Sequence, residues 1–124
     1  MTDVPPAGAA KPPGLVRGTV CWAELDPTRG REQSGRRPVL VVAGRQYLET
    51  VTTLVIVVPV TGVERGWSNH VRLHGPHGLG RPSWAMTEQP RTLSRARLVG
   101  AAGLVDAATL HAVDRRLRDF LALA

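Results

Sequence analysis

Residues 17–42 read RGTVCWAELDPTRGREQSGRRPVLVV, and they decide the fold because two apolar strands flank a loop rich in glycine, arginine and polar side chains. The loop begins at Asp26 and buries little, so we interpret its arginines and its glutamate as serving a ligand rather than the core. Pro38 disfavours a helical backbone at Arg37 and begins the next strand. Arg37 is therefore expected at the mouth of a sheet, where a functional side chain would be held.

The composition indicates one small domain with an anionic partner. A chain of 124 residues with 43% hydrophobic residues suits a single core and is too short for two. The net charge of +6 and the pI near 11.2 come almost wholly from arginine, because Lys11 is the only lysine. Guanidinium groups bind phosphate through paired hydrogen bonds and stack on bases, which favours a polyanion. A genomic GC bias explains the preference for arginine over lysine equally well, but it does not explain the net charge.

The single cysteine and the apolar runs indicate where the protein works. Cys21 is alone, which excludes an intramolecular disulfide and a cysteine-rich metal site, and its place within a strand pattern indicates packing rather than catalysis. The longest apolar run, 54–60, is too short to span a membrane, and the amino terminus lacks the apolar core of a signal peptide. We expect a cytoplasmic protein without membrane contact.

The amino-terminal part of the chain divides into a tail and the start of a domain. Residues 1–16 concentrate proline, alanine and glycine and predict a flexible tail, which leaves 17–124 as a single domain. Residues 17–25 predict the first strand. Its alternation suggests one outward set and one inward set of side chains, respectively Arg17, Thr19, Cys21 and Ala23, and Gly18, Val20, Trp22 and Glu24.

Two strongly apolar strands follow. The β-branched run 38–43 predicts a strand that is covered on both faces. A helical turn is expected at 46–50, and the run 52–60 is the most apolar strand and should be central. Pro59 has no amide hydrogen, so the ladder should bulge or stop there and present Thr61 at a strand end.

The rest of the chain predicts shorter strands and one helix. Short strands are expected at 70–74 and 83–87, and a weak strand or coil at 98–104. Asp106 is a natural N-cap for a carboxy-terminal helix whose apolar residues recur at helical spacing, namely Leu110, Val113, Leu117, Phe120 and Leu121. The predicted fold is mainly β with α, a small twisted antiparallel barrel of the SH3-like, plug-like kind packed by a terminal helix.

Several polar and aromatic residues allow more than one interpretation. His70, His74 and His77 lack a recognisable ligand spacing and a nearby acidic residue, so we predict no metal site. Arg37 could pair with Glu32, or serve a ligand. Thr61 and Trp67 also have structural alternatives. Thr61 could cap a turn, and Trp67 could plug its loop instead of stacking on bases.

Four motifs in order carry a resemblance to a known family. They are RGTVCWAELDPTRGREQSGRRPVLVV at 17–42, VPVT at 58–61, EQPRT at 88–92 and the carboxy-terminal helix. With them the chain resembles bacterial MazF/PemK-type toxins, the mRNA interferases of type II toxin–antitoxin pairs. The resemblance runs from Arg17 to the terminal helix and covers nearly all of the chain except the tail.

The resemblance implies an enzyme, a mechanism and partners. The family fold dimerises and holds single-stranded RNA in a groove at the dimer interface, so it implies a homodimeric endoribonuclease that cleaves mRNA, with tRNA and rRNA as further substrates. Cleavage would need no metal or other cofactor, because the ribose 2′-hydroxyl attacks the adjacent phosphorus and leaves a 2′,3′-cyclic phosphate and a 5′-hydroxyl. An acidic MazE-like antitoxin would hold it in check.

The same resemblance assigns roles to residues. Arg37 and Thr61 match the positions of the catalytic arginine and threonine. The positions expected to border or bind the RNA are Arg31, Glu32, Gln33, Arg36, Trp67, His70, Glu88, Gln89 and Arg91. Pro90 departs from the aliphatic residue that is usual in the family and removes a backbone donor beside the expected base readers.

Two other functions stay open at the level of sequence. The same fold resembles gyrase-inhibiting toxins of the CcdB type, which depend on a tryptophan near the carboxy terminus, and no tryptophan follows Trp84 here. An inactive homologue that only binds antitoxin is the third possibility. The presence of both Arg37 and Thr61 argues against it.

Overall fold

A curled antiparallel sheet and two α-helices make up the computed structural model, which describes residues 14–24 and 35–123. In chain order the elements are β1 (Thr19–Glu24), β2 (Arg36–Val41), α1 (Arg45–Thr50), β3 (Leu54–Thr61), β4 (His70–Arg72), β5 (Trp84–Met86), β6 (Arg91–Ser94), a 3₁₀ turn (Arg95–Arg97), β7 (Leu98–Leu104) and α2 (Ala107–Leu121). The predicted class, mainly β with a carboxy-terminal helix, is confirmed. The predicted tail, 1–16, lies mostly outside the described residues.

The strand order brings the two ends of the sheet together. Neighbouring strands follow the order β4-β5-β3-β2-β1-β7, and β6 also pairs with β3. The segment after β4 then contacts β7, because the Leu104 amide donates to the Pro76 carbonyl and the Asp106 amide to the His74 carbonyl, both at 3.0 Å. These contacts give the sheet its barrel-like form. As predicted, β3 lies inside the sheet, with partners on both edges.

Apolar side chains fill both faces of the central strands. One core cluster, which includes Leu40, contains side chains from β1, β2, β3 and α2, and the other, which includes Val39, contains side chains from β1, β2, β3, α1 and β6. Along β2 the two clusters alternate, so the prediction of a strand covered on both faces is confirmed.

The predicted facing of β1 is wrong along most of the strand, including Thr19, which is buried instead of facing solvent. Cys21 and Ala23 are 3% and 0% exposed instead of facing solvent, and Glu24 is exposed instead of facing inward. The reason is the second cluster, in which Leu48 of α1 and Leu93 of β6 cover the face that the alternation leaves open. A single strand carries no information about what a distant helix covers.

Prolines lie within β2 and β3 without ending them. β2 begins at Arg36, two residues before the predicted start, and Pro38 pairs with Trp22 of β1. Pro59 pairs with Val39 of β2, so the ladder continues on that edge. On the other edge of β3, pairing with β6 ends at Val57 and pairing with β5 starts at Val60, so the predicted interruption occurs there alone.

The carboxy-terminal half contains one strand that the sequence did not predict and one that is stronger than predicted. β6 starts directly after Pro90, and 98–104 forms a seven-residue strand paired with β1. The N-cap prediction is confirmed, because the Asp106 carboxylate accepts the Thr109 amide at 2.9 Å. Hydrogen bonds from the side chain and the backbone of Thr109 lower the pKa of Asp106.

The amino-terminal end of the described chain contacts both the barrel and α2. Leu15 packs partly against the second core cluster, and the Val16 carbonyl accepts hydrogen bonds from the hydroxyl and the amide of Thr19. The Arg17 guanidinium pairs with Asp114 of α2. Across the described ranges, none of the helices is long and apolar enough to cross a membrane.

Candidate active site

Arg37 and Thr61 lie at the same end of two neighbouring strands. The ladder between β2 and β3 ends with Val39 opposite Pro59. Continuing that antiparallel register by two residues sets Arg37 opposite Thr61. The pairing of β2 with β3 has ended there, although Arg37 still pairs with Ala23 of β1 and Thr61 with Trp84 of β5. The Arg37 side chain is exposed and Thr61 is half-buried, so neither fills the core. The register therefore brings together the two residues that the sequence singled out as catalytic.

Arg37 is exposed, and its guanidinium has no partner among residues 14–24 and 35–123. The neighbouring Arg36 lies 3.9 Å from Glu24, a pair in which both side chains are half-exposed and which therefore contributes little to stability. The candidates Arg31, Glu32 and Gln33 lie outside the described residues, and so does the alternative pairing of Arg37 with Glu32.

Thr61 caps a turn and still has a hydrogen to donate. The Val63 amide donates to Thr61 Oγ1 at 3.1 Å, so the structural interpretation of this residue is confirmed. A hydroxyl can accept and donate at the same time. The bond from Val63 therefore orients the hydroxyl without using its hydrogen, and this arrangement suits a donor to a phosphate or ribose oxygen.

A second group of side chains converges on the Glu88 carboxylate. Asn69 Nδ2 donates to it at 2.6 Å and Gln89 Nε2 at 3.0 Å, and His70 Nε2 lies 3.2 Å away. Partial burial raises the pKa of Glu88, but hydrogen bonds from Gln89, its own backbone, His70 and Asn69 outweigh that effect and lower it. The carboxylate is thus held ionised as a fixed acceptor.

His70 and Trp67 differ sharply in accessibility. The His70 side chain is 2% exposed, and its Nδ1 atom has no partner among the described residues. The Trp67 ring lies 4.8 Å from the His70 ring and is 52% exposed, with the Arg65 guanidinium 5.5 Å from its centre. Trp67 is therefore available to stack on a base instead of plugging its loop, whereas burial leaves His70 to support Glu88 and Trp67 from below.

β5 connects this group to the strand end. Trp84, its first residue, pairs with Thr61, and its last residue is followed within two positions by Glu88. Gln89 and Arg91 are exposed just beyond it, and Arg91 begins β6 opposite Val57. Because β5 is antiparallel to β3, the residues after Trp84 lead back along β3 away from Thr61, and His70 pairs with Met86 at the far end of β5. The candidate RNA-binding residues of the carboxy-terminal half therefore lie along β3 toward Val57, and not at the strand end that carries Thr61.

The other nucleophile and metal candidates lie apart from this site. His74 contacts the start of α2, where its amide donates to the Thr109 hydroxyl, and His77 Nδ1 accepts the Leu79 amide. The described ranges contain no group of three or more histidine, cysteine, aspartate or glutamate side chains placed to bind a metal ion. Burial raises the pKa of the Cys21 thiol to about 11, so it stays protonated and unreactive at neutral pH.

The interpretation of the sequence missed Asn69 and Arg81. Asn69 holds Glu88, and no pattern in the sequence marks it. The Arg81 guanidinium lies over Gly62, with three atoms 3.1–3.2 Å from the position that a Cβ atom on Gly62 would occupy. Arg81 precedes a proline, the same Arg-Pro order that drew attention to Arg37.

Comparison with known proteins places the chain in a family. Residues 16–121 match the PemK-like, MazF-like toxins of type II toxin–antitoxin systems. This chain belongs to that family. It is 34% identical to endoribonuclease MazF9 of Mycobacterium tuberculosis over 110 residues, which are 84% of this chain and 93% of that protein. It is 32% identical to endoribonuclease EndoA of Bacillus subtilis over 113 residues, or 88% and 96% of the two chains.

A solved member of the family confirms the fold. The crystal structure of MazE-MazF (Form-II) from Deinococcus radiodurans matches with a TM-score of 0.76 and 28% identity, covering 89% of this chain and 97% of that one. The family resemblance recognised from the four motifs is confirmed. The family match covers residues 16–121, so in sequence it includes the arginine-rich loop as well as Arg37 and Thr61.

Proposed function

We propose that this chain is the toxin of a type II toxin–antitoxin pair and acts as an endoribonuclease on single-stranded RNA, mRNA above all. The observation that carries the proposal is the antiparallel register of β2 and β3, whose continuation beyond Val39 and Pro59 sets Arg37 opposite Thr61. The names of its relatives, endoribonucleases with 32–34% identity, support the same activity.

The reaction is an internal transesterification. The ribose 2′-oxygen attacks the adjacent phosphorus and the bond from phosphorus to the 5′-oxygen breaks. The 2′-hydroxyl gives its proton to water and the leaving 5′-oxygen takes one from water. The products are a 2′,3′-cyclic phosphate and a 5′-hydroxyl, and no electrons are exchanged. The protein has to supply orientation and positive charge, which amino-acid side chains can provide without a metal ion.

Arg37 and Thr61 divide these tasks. An arginine stays protonated at neutral pH, so Arg37 stabilises the negative charge that develops on the phosphorane oxygens instead of taking a proton. Thr61 donates its hydroxyl hydrogen to the same oxygens or to the 2′-oxygen. Removing one preorganised donor of this kind typically costs about 3 kcal/mol of transition-state stabilisation.

The side chains around Glu88 are assigned to base recognition. Trp67 offers a half-exposed ring for stacking, and Glu88 offers a fixed acceptor for base amino groups. Gln89 donates its amide hydrogens to Glu88 and toward the Met86 sulfur, which leaves its carbonyl oxygen to face a ligand. Arg36 and Arg91 add charge along the RNA backbone.

We further propose a homodimer and an acidic antitoxin of the MazE type. A solved relative is a MazE-MazF complex, which supports the second partner. The arginines near Arg37 repel one another, and an acidic peptide or RNA relieves that repulsion, so the two should compete for overlapping ground. Exposed apolar residues at the end of α2, Phe120, Leu121 and Leu123, support a contact between two copies.

The decisive experiment is RNA cleavage without free metal. Purified protein would be incubated with a long RNA in EDTA, and new ends would be tested for direct labelling by polynucleotide kinase, which requires a 5′-hydroxyl. Cleavage with labelled ends is the expected result. Gyrase inhibition without cleavage would instead support the CcdB-type function, and neither activity would support the inactive homologue.

A further inference from the structure

We propose that Arg81 supplies a second guanidinium to the scissile phosphate, on the side of Thr61 opposite Arg37. This inference rests on the endoribonuclease function proposed above. Arg81 lies 20 residues beyond Thr61 in the sequence, in a turn rich in glycine and proline, and the structure brings its side chain back to the end of β3.

The contact with Gly62 locates the Arg81 side chain. Nε, Cζ and Nη2 of Arg81 lie 3.1, 3.2 and 3.2 Å from the position of a Cβ atom built on Gly62. These distances are shorter than usual Cβ contacts, so a side chain at residue 62 would require the guanidinium to shift by a few tenths of an ångström. Gly62 directly follows Thr61, so the guanidinium packs on the residue next to the proposed hydroxyl donor.

The backbone around Arg81 is fixed relative to Thr61. Ser83 is buried, its hydroxyl donates to the Arg81 carbonyl at 3.0 Å, and its own carbonyl accepts the Leu73 amide at 2.9 Å. The next residue, Trp84, pairs with Thr61 in the sheet. Arg81 therefore extends from an anchored turn whose position is tied to the end of β3.

The sheet order sets an arginine on each side of Thr61. β3 lies between β2, which carries Arg37, and β5, which follows the turn that carries Arg81. Arg81 is exposed, and no carboxylate of residues 14–24 and 35–123 pairs with it. A phosphorane has two non-bridging oxygens, and two guanidinium groups approaching from opposite sides can stabilise both of them.

The test compares four variants by steady-state cleavage of one RNA. Arg81→Ala removes the cation, Arg81→Lys retains charge without the planar fork, and Gly62→Ala pushes the guanidinium away by its added Cβ. The fourth variant combines Gly62→Ala with Arg81→Ala. Arg45→Ala is the matched control, because Arg45 is an exposed arginine on α1, beyond the other end of β2.

The expected result is a loss of about 10²-fold in kcat/KM for Arg81→Ala, mostly in kcat, which is typical of removing one transition-state donor. Arg81→Lys should recover part of it, and Gly62→Ala should slow the wild type but have no further effect in the Arg81→Ala background. A loss no larger than that of Arg45→Ala would overturn the proposal. So would a Gly62→Ala effect that persists without Arg81.

A binding measurement separates failure of this inference from failure of the proposed function. Absence of cleavage by the wild-type protein would reject the function. Arg81 would then be judged by the affinity for an uncleavable pool of 2′-O-methyl RNA at several salt concentrations. Loss of one phosphate contact should lower the salt slope by about 1 in Arg81→Ala, and an unchanged slope would overturn the assignment of Arg81 to a phosphate.

Discussion

Some arginines of this protein hold the fold together and others are exposed to a ligand, and the contacts of each residue distinguish the two groups. The Arg95 guanidinium donates to three carbonyl oxygens, those of Leu48, Val51 and Leu54, at 2.7–2.9 Å. Arg97 donates to the Glu24 carbonyl at 2.8 Å. These side chains join α1, β3 and β1, so the net charge of +6 overstates the charge that is available to RNA.

Substitution of the two proposed catalytic residues should separate activity from folding. Arg37→Ala and Thr61→Ala remove side chains that do not fill the core, so each should retain the wild-type circular dichroism spectrum and lose about 10²–10³-fold in cleavage rate. Arg95→Ala is the contrasting control, because three carbonyls lose their donor and the melting temperature should fall. Unfolding of the Arg37 or Thr61 variant would make that residue structural, and undiminished cleavage would remove it from the mechanism.

Protonation of Glu88 should lower the free energy of unfolding in the acid pH range. Its folded pKa is lowered, so its contribution is complete above the unfolded value of about 4.3 and disappears as the pH falls through the folded value. The free energy of unfolding of the wild type should therefore decline more steeply below that pH than that of Glu88→Gln. Urea unfolding between neutral pH and pH 3 checks this, with Glu49→Gln on the exposed face of α1 as control. Parallel curves for wild type and Glu88→Gln would contradict it.

At the scale of elements, the contact that closes the sheet, between β7 and the segment after β4, requires a glycine at position 103. A Cβ atom on Gly103 would lie 2.2 Å from the Pro76 carbonyl oxygen and 2.6 Å from the His77 carbonyl carbon. Gly103→Ala must therefore push two backbone segments apart and should lower stability by about 1–3 kcal/mol, the usual cost of overpacking. Gly80→Ala, whose Cβ would have no neighbour within 4 Å, should be close to neutral. Thermal unfolding of both variants measures the difference, and equal melting temperatures would show that closure tolerates the added methyl group.

The elements that could be predicted from the sequence are those whose signal is local. Asp106 marks the start of α2, and the β-branched run beginning at Pro38 marks a strand covered on both faces. The facing of Cys21 was predicted wrongly because α1 and β6, which cover it, are distant in sequence. Arg37 and Thr61 were found from the family motifs, whereas the role of Asn69 depends on a contact 19 residues away that no spacing indicates.

At the scale of the whole molecule, the assembly should depend on the end of α2. Phe120, Leu121 and Leu123 are 52%, 59% and 60% exposed, which is unfavourable for three neighbouring apolar side chains in water. We expect a dimer in sedimentation at micromolar concentration, and Phe120→Ser with Leu121→Ser should shift it to monomer. Leu54→Ser, at the start of β3, is the control for a general loss of apolar surface. A wild-type monomer that still cleaves RNA would contradict the homodimer.

The pairing of β1 with β7 also bears on how fast the protein can reach its native state. Thr19 pairs with Leu104, 85 positions further along the chain, and Ala23 with Leu98, 75 positions further. Forming such contacts requires closing a long loop before any favourable pairing compensates for the lost chain entropy, and domains dominated by distant pairs fold in about milliseconds to seconds. β2 and β3, which carry Arg37 and Thr61, pair across the short connection that contains α1 and need no such search. Arg37 and Thr61 can therefore meet early, while the pairing of β1 with β7 forms last and sets the rate of folding.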